Sequence, residues 1–292
     1  MPEQIRPPAP DTRTPAFAVP PRAADCAVHV FPPVSRYPVA ADRLYDPPAG
    51  TGFADLARLH RALGIERGVI VQATAYRTDC RATVAALEHF GPAYRGIVVI
   101  DDTIADRELE ALDRAGVRGA RFNFARFLAA VPPLTVFRRV AARIHELGWH
   151  VVLHAEADDL VALAPDLRAM PNTFVLDHMA RLDPAAGTAQ PAFALIAELV
   201  QSGRWWVKLS NGDRMSAGGP PFADVVAIGR ALAALAPDRA LWGSDWPHVL
   251  YRKPAMVNDG DLMDLLAAYV PDEAARRKVL VDNPNALYRF DP

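Results

Sequence analysis

The sequence predicts a single-domain (β/α)8 TIM barrel of the α/β class. Eight short apolar runs read as strands, and helix-periodic segments or a long loop plus a helix separate them. Runs that are apolar on both faces fit a parallel sheet covered by helices. The rival fold, an open doubly wound sheet, lacks its marker, since no G-x-G-x-x-G opens a helix after the first strand. At 292 residues the chain has the length of one barrel.

The elements follow in order. Residues 1–23 are rich in Pro, Ala and Arg without a continuous apolar core, so an extended, partly disordered arm is expected there and not a signal peptide. The barrel domain is expected over 24–292. Its first strand, 25–31, is stopped by Pro32 and Pro33, and alternation puts Asp25, Ala27, His29 and Phe31 on one face. The loop 34–50 carries Arg43 and Tyr45, and helical spacing over 53–63 ends at Gly64. Strands are then expected at 68–72, 95–101, 119–124, 149–156, 173–178, 205–210 and 239–245. The helices between them fall at 79–90, 106–115, 136–147, 159–170, 192–202 and 222–235, with two more near 260–269 and 272–281.

Composition excludes several classes. Hydrophobic residues make up 51% and charged residues 23%, an ordinary globular balance. A formal net charge of −2 argues neither for nucleic acid nor for an anionic membrane surface, and neither is expected as a partner. No apolar run is long enough to span a bilayer, and a cytoplasmic location is expected by default. Cys26 and Cys80 form neither a disulfide framework nor a zinc cluster, and Cys26 is expected to pack as a small hydrophobe. His60, His89 and His145 lie in helical segments and are expected to face solvent.

In a barrel, the carboxyl ends of strands line the active site. Read that way, the strands present His29, Gln72, Asp101, Arg121 with Asn123, His154 with Glu156, His178, Lys208 with Ser210, and Asp245. A lone His in an apolar strand is usually a satisfied core residue. Several converging on one end, with an Asp, point to a hydrolytic site. Asp245, between Trp242 and Trp246 at the exit of the eighth strand, is the first candidate for moving a proton.

Asp25-x-x-x-His29, Leu176-Asp177-His178 and Trp242-Gly243-Ser244-Asp245-Trp246-Pro247-His248 resemble the amidohydrolase superfamily. Within it they resemble the amidohydrolase-related (family 2) branch that includes the 2-pyrone-4,6-dicarboxylate lactonases. The resemblance runs from about Asp25 to Phe290. It takes in the segment from Gly119 to Phe124, that from Leu147 to Val152, Asp177-His178-Met179 with Arg181, and Val281-Asp282-Asn283-Pro284. It implies a hydrolase acting on a carboxylate-bearing lactone, in aromatic or sugar-acid catabolism. Arg121, Arg181 and Arg214 match arginines that hold substrate carboxylates, and Tyr45 matches a tyrosine doing similar work. Arg126 is a nearby further candidate, and His154 stands where the lactonases carry a tyrosine.

One departure bears on the metal. The family's first strand usually carries His-x-His, and here the first of those positions is Ala27. Firm zinc binding needs at least three well-placed ligands. His29, His178 and Asp245 are the set if zinc is bound, but the expectation is no cofactor and a metal-free site. Asp245 then serves as general base for water, with His178 and His29 polarising the carbonyl. The arginines, which form bidentate pairs with carboxylates, bind a small organic-acid lactone. The alternatives are a lactone isomerase of the galactarolactone type, a zinc-dependent sugar-lactone hydrolase or decarboxylase, and a non-catalytic organic-acid-binding barrel. A homo-oligomer is compatible with all of them.

Overall fold

Eight parallel strands, taken in chain order, form the wall of a barrel in the computed structural model, which describes residues 2–128 and 131–290. They are β1 (Ala24–Val28), β2 (Arg67–Val71), β3 (Tyr94–Val98), β4 (Val117–Asn123), β5 (His150–His154), β6 (Phe174–Leu176), β7 (Trp205–Leu209) and β8 (Ala240–Trp242). Each pairs with its neighbour in sequence, so every connection is a right-sized β/α crossover and the barrel expected from the sequence is the one that forms.

Closure comes from β1 and the segment just past β8. The Asp245 amide donates to the Ala27 carbonyl and the His29 amide to the Trp246 carbonyl, both at 2.8 Å. Asp25 adds a buried staple, its Oδ1 accepting the Ser244 amide at 3.0 Å and the Ala27 amide at 3.1 Å. The seam of the barrel therefore runs directly beneath His29 and Asp245.

Helices cover the outside: α1 (Phe53–Leu63), α2 (Arg81–Phe90), α3 (Asp106–Arg114), α4 (Leu134–Glu146), α5 (Ala157–Ala169), α6 (Pro191–Gln201), α7 (Val226–Leu235) and α8 (Asp259–Tyr269). Their apolar stripes meet the outward residues of the strands, as Leu56, Leu59 and Leu63 do from α1. Gly64 ends α1 with φ at 73°, a left-handed cap that glycine adopts without Cβ strain. Among the described residues, no helix is long and apolar enough to cross a membrane.

The barrel interior is layered. Ala24, Cys26, Val69, Ile97, Val152, Val175 and Leu241 fill its lower part, where Tyr288 and Phe290 plug the opening. Above them Lys208, fully buried, donates to Asp177 Oδ1 at 2.6 Å.

Two expectations change, and the arm gains contacts. The strands stop earlier than their apolar runs, β8 at Trp242 and β6 at Leu176, because the chain leaves extended geometry there. His178, Arg181 and Asp245 have φ of 53°, 50° and 64°. The extended arm makes contacts along the body of the protein. Glu3–Gln4 pairs with Tyr45–Asp46, Arg6 donates to the carbonyls of Lys253 and Pro254, and Arg13 pairs with Asp261 and Asp264. His60 is buried against β3, its Nδ1 bonded to the Tyr94 hydroxyl at 2.7 Å, because α1 turns that face inward.

Candidate active site

At the carboxyl end of the barrel, one chamber gathers His29, Tyr45, Arg121, His154, His178, Arg181, Arg214 and Asp245. The chamber is small, about 40 Å³, and a vestibule of about 420 Å³ is built from residues of the same mouth, sharing Phe127, Arg181, Arg214 and Leu250 with it. Strand direction explains the convergence, since inward positions of β4 and β5 and the residues just past β1, β6 and β8 face the axis.

Asp245 is the centre of this cluster. His29 Nε2 lies 3.4 Å and His178 Nε2 3.8 Å from its Oδ1, while Arg214 donates to its Oδ2 at 3.2 Å. Burial alone would raise this carboxyl. The neighbouring His178 and His29 rings and the Arg214 guanidinium outweigh it and hold Asp245 well below the usual carboxylate range. Burial pushes the His178 imidazole down to about 4, against the pull of Asp245 and Asp177. His178 is therefore neutral at neutral pH, and Arg214 is the permanent charge that keeps Asp245 ionised.

The two imidazoles are oriented from behind. His29 Nδ1 lies 2.6 Å from the Val71 carbonyl, which only accepts, so Nδ1 carries the proton and Nε2 is the nitrogen turned to the site. His178 Nδ1 pairs with Ser210 Oγ at 2.9 Å. Residues His178, Met179, Ala180 and Arg181 all have left-handed φ, a conformation that strains non-glycine residues and is found where function requires it.

The arginines differ in their tethers. Arg121 donates to the Gln72 carbonyl at 3.0 Å and lies 3.9 Å from Asp177, whose other oxygen holds Lys208. Arg181 lies over the Phe127 ring at 5.1 Å, and Arg214 over the Tyr251 ring at the same distance. Burial and then the nearby charge of Arg214 lower Arg181, the mark of two guanidiniums sharing one mouth. Such a pair favours an anion.

Two candidates stand apart from the chamber. Arg126 has 82% of its side chain exposed and pairs with Asp159 on the rim. Asn123 does not line the chamber but holds His154, its Oδ1 3.2 Å from His154 Nδ1. Burial, then the neighbouring His178, lowers His154 far below its ordinary value. Sequence reasoning missed Thr74, Phe127, Leu128, Asn211, Val249 and Leu250, which also line the chamber. Asn211 directly follows Ser210 and could have been found from the end of the seventh run. Val249 and Leu250 sit in a loop that no periodicity marks.

The donor set does not fit a tightly held cation. Ala27, two residues before His29 on the same face, offers no ligand atom, and its Cβ fills the space beside Gly243, where an added Cβ would meet it at 2.7 Å. Arg214 places a fixed positive charge against Asp245. Among the described residues, no group of three or more His, Cys, Asp or Glu side chains is disposed to hold a metal ion.

A closed parallel barrel with histidines and the Asp245 carboxylate at its strand exits defines an amidohydrolase-type protein. The chain belongs to the amidohydrolase family, whose model matches residues 24–290. It is 40% identical over 283 residues to the 2-pyrone-4,6-dicarboxylate hydrolase of Comamonas testosteroni, covering 94% of this chain and 92% of that one. It is 38% identical to the 4-sulfomuconolactone hydrolase of Rhizobium radiobacter, with the same two coverages. Identity to the D-galactarolactone isomerase of Agrobacterium fabrum is 33%, over 100% of this chain and 99% of that one.

Proposed function

We propose that the protein is a hydrolase that opens the ring of a carboxylate-bearing lactone, with 2-pyrone-4,6-dicarboxylate as the reference compound, and that it does so without a metal. The observation that carries this reading is Asp245, an ionised carboxylate contacted by two oriented imidazoles and facing a mouth with three arginines. Its relatives at 40% and 38% identity are lactone hydrolases, which supports the same reaction.

The chemistry follows from the positions. Arg181, Arg214 and Arg121 hold substrate carboxylates by charge-assisted bonds. Asp245 takes a proton from water as the water oxygen attacks the lactone carbonyl carbon. His178 Nε2 meets the charge growing on the carbonyl oxygen when Ser210 donates to its Nδ1. His29, with Nδ1 committed to Val71, donates through Nε2 only as imidazolium; neutral, it accepts from water instead. Collapse of the tetrahedral species breaks the ring C–O bond, and Asp245 returns its proton to the leaving oxygen. Degradation of aromatic or sugar-derived acids in the cytoplasm goes with this role.

The test is a panel of di- and tricarboxylate lactones against neutral sugar lactones, with products identified by NMR in ¹⁸O-labelled water. Ring opening with one labelled oxygen in the new carboxylate is expected, along with a preference for charged lactones. Asp245→Asn should lower the rate on the order of 10²–10⁴-fold with circular dichroism unchanged. Preference for neutral lactones would remove the arginine role. An isomeric lactone formed without label would mean that Asp245 activates a substrate hydroxyl, as the likeness to the isomerase suggests.

A further inference from the structure

We infer that His154 is a hydrogen-bond acceptor for a substrate hydroxyl, and that the preferred lactone carries such a hydroxyl next to a carboxylate bound by the chamber's arginines. This rests on the site being the lactone-binding site proposed above, and within carboxylate-bearing lactones it favours a hydroxylated one over the hydroxyl-free 2-pyrone-4,6-dicarboxylate.

His154 is 6% exposed and lies at the end of β5, in the chamber wall. Its Nδ1 faces Asn123 Oδ1 at 3.2 Å, and an amide oxygen accepts only, so the ring proton sits on Nδ1. Nε2 is then left with a lone pair. That atom is buried and has no hydrogen-bond partner within the protein. A buried acceptor without a partner is costly, and native sites that retain one usually meet it with a ligand or water.

The surroundings say what kind of ligand. His178 stands edge-on to the ring with centroids 5.0 Å apart, and Phe127 does the same from the vestibule side at 5.9 Å. Neither hydrogen-bonds to Nε2. Arg121 and Arg181 belong to the same chamber and are donors only. The wall therefore presents donors for an anion together with two buried neutral acceptors that have no partner within the protein, Asn211 Oδ1 and His154 Nε2. A carboxylate has nothing to donate to the His154 acceptor, whereas a hydroxyl next to the carboxylate can donate to Nε2 while the carboxylate takes the guanidiniums. A tyrosine at this position would offer a hydroxyl, able to donate to the ligand, where His154 offers an acceptor.

The experiment uses a matched pair: a carboxylate-bearing γ-lactone with a free hydroxyl on the carbon next to the carboxylate, and the same lactone with that hydroxyl methylated. Calorimetric affinity and turnover are both measured for the full-length protein. We expect the wild type to favour the free hydroxyl on the order of 10- to 100-fold in affinity. His154→Phe should reduce that preference to within about twofold, and His154→Gln, which keeps an acceptor, should restore part of it. Equal binding of the two lactones by the wild type overturns the inference, and this comparison needs no variant to fold. A preference that survives in a folded His154→Phe overturns it as well. Binding with the expected preference but no ring opening would leave the subsite standing and count against the hydrolase reading alone.

Discussion

Arg214 donates to Asp245 Oδ2 at 3.2 Å, so the carboxylate proposed as the base and a guanidinium proposed to bind the substrate are bonded to each other. A substrate carboxylate that engages Arg214 must draw on the charge that holds Asp245 low. On the proposed mechanism, binding the anion would raise the basicity of Asp245 and so couple recognition to proton abstraction.

Arg214→Gln should therefore change both binding and pH dependence. Asp245 must be ionised to act, so activity falls as pH drops through its lowered pKa. Removing Arg214 lets burial raise that value, and the acid limb of kcat/KM moves to higher pH. KM should rise by about 10-fold or more with the loss of a charged hydrogen bond. A raised KM with an unmoved acid limb would restrict Arg214 to substrate binding.

The barrel seam offers a second test. A Cβ on Gly243 would meet the Ala27 Cβ at 2.7 Å and the Ala27 amide nitrogen at 2.9 Å. Gly243→Ala should cost about 1–3 kcal/mol by overpacking and push β1 from β8 just below His29 and Asp245. Urea unfolding gives the first quantity and kcat the second. A variant with wild-type stability and rate would show that the seam yields freely.

Lys208 and Asp177 form an ion pair closed off from solvent. Burial would raise the Asp177 carboxyl, but Lys208 and then the other charges near it hold it below its ordinary range. That pair contributes stability that is present above the unfolded carboxylate pKa and is lost as pH falls through the lowered folded value. Lys208→Met leaves Asp177 uncompensated and should destabilise by about 3–5 kcal/mol. Urea midpoints at neutral pH check the size, and a flatter dependence on acid pH in the variant checks the cause.

The metal-free proposal predicts that dialysis against a strong chelator leaves kcat unchanged and that elemental analysis finds no stoichiometric zinc. Zinc at one per chain, with activity lost on its removal, would overturn it. In that case His29, His178 and Asp245 become the ligands to mutate.

Local pattern carried far in this chain. Apolar runs alternating with 3.6-residue periodicity define a parallel barrel, because a strand apolar on both faces has to be covered by helices on one side and enclosed on the other. The rule that strand exits face one mouth then placed Asp245, His178, His29 and Arg121 together without any coordinates. Helix α1 matched residue for residue, since Gly64 is a stop signal written in one residue.

What required the tertiary structure was everything set by contacts between distant segments. His60 reads as a surface helix residue, yet long-range packing against Tyr94 buries it. Arg126 and Arg181 look alike in sequence, but one pairs with Asp159 on the rim and the other lies over Phe127 in the chamber. The early strand ends, the left-handed turn through His178–Arg181, the Arg214–Asp245 bond and the unpartnered Nε2 of His154 all arise where the chain abandons its periodic geometry. Periodicity encodes repeating hydrogen bonds between backbone atoms. It holds no information about a side chain whose partner lies on the far side of the barrel.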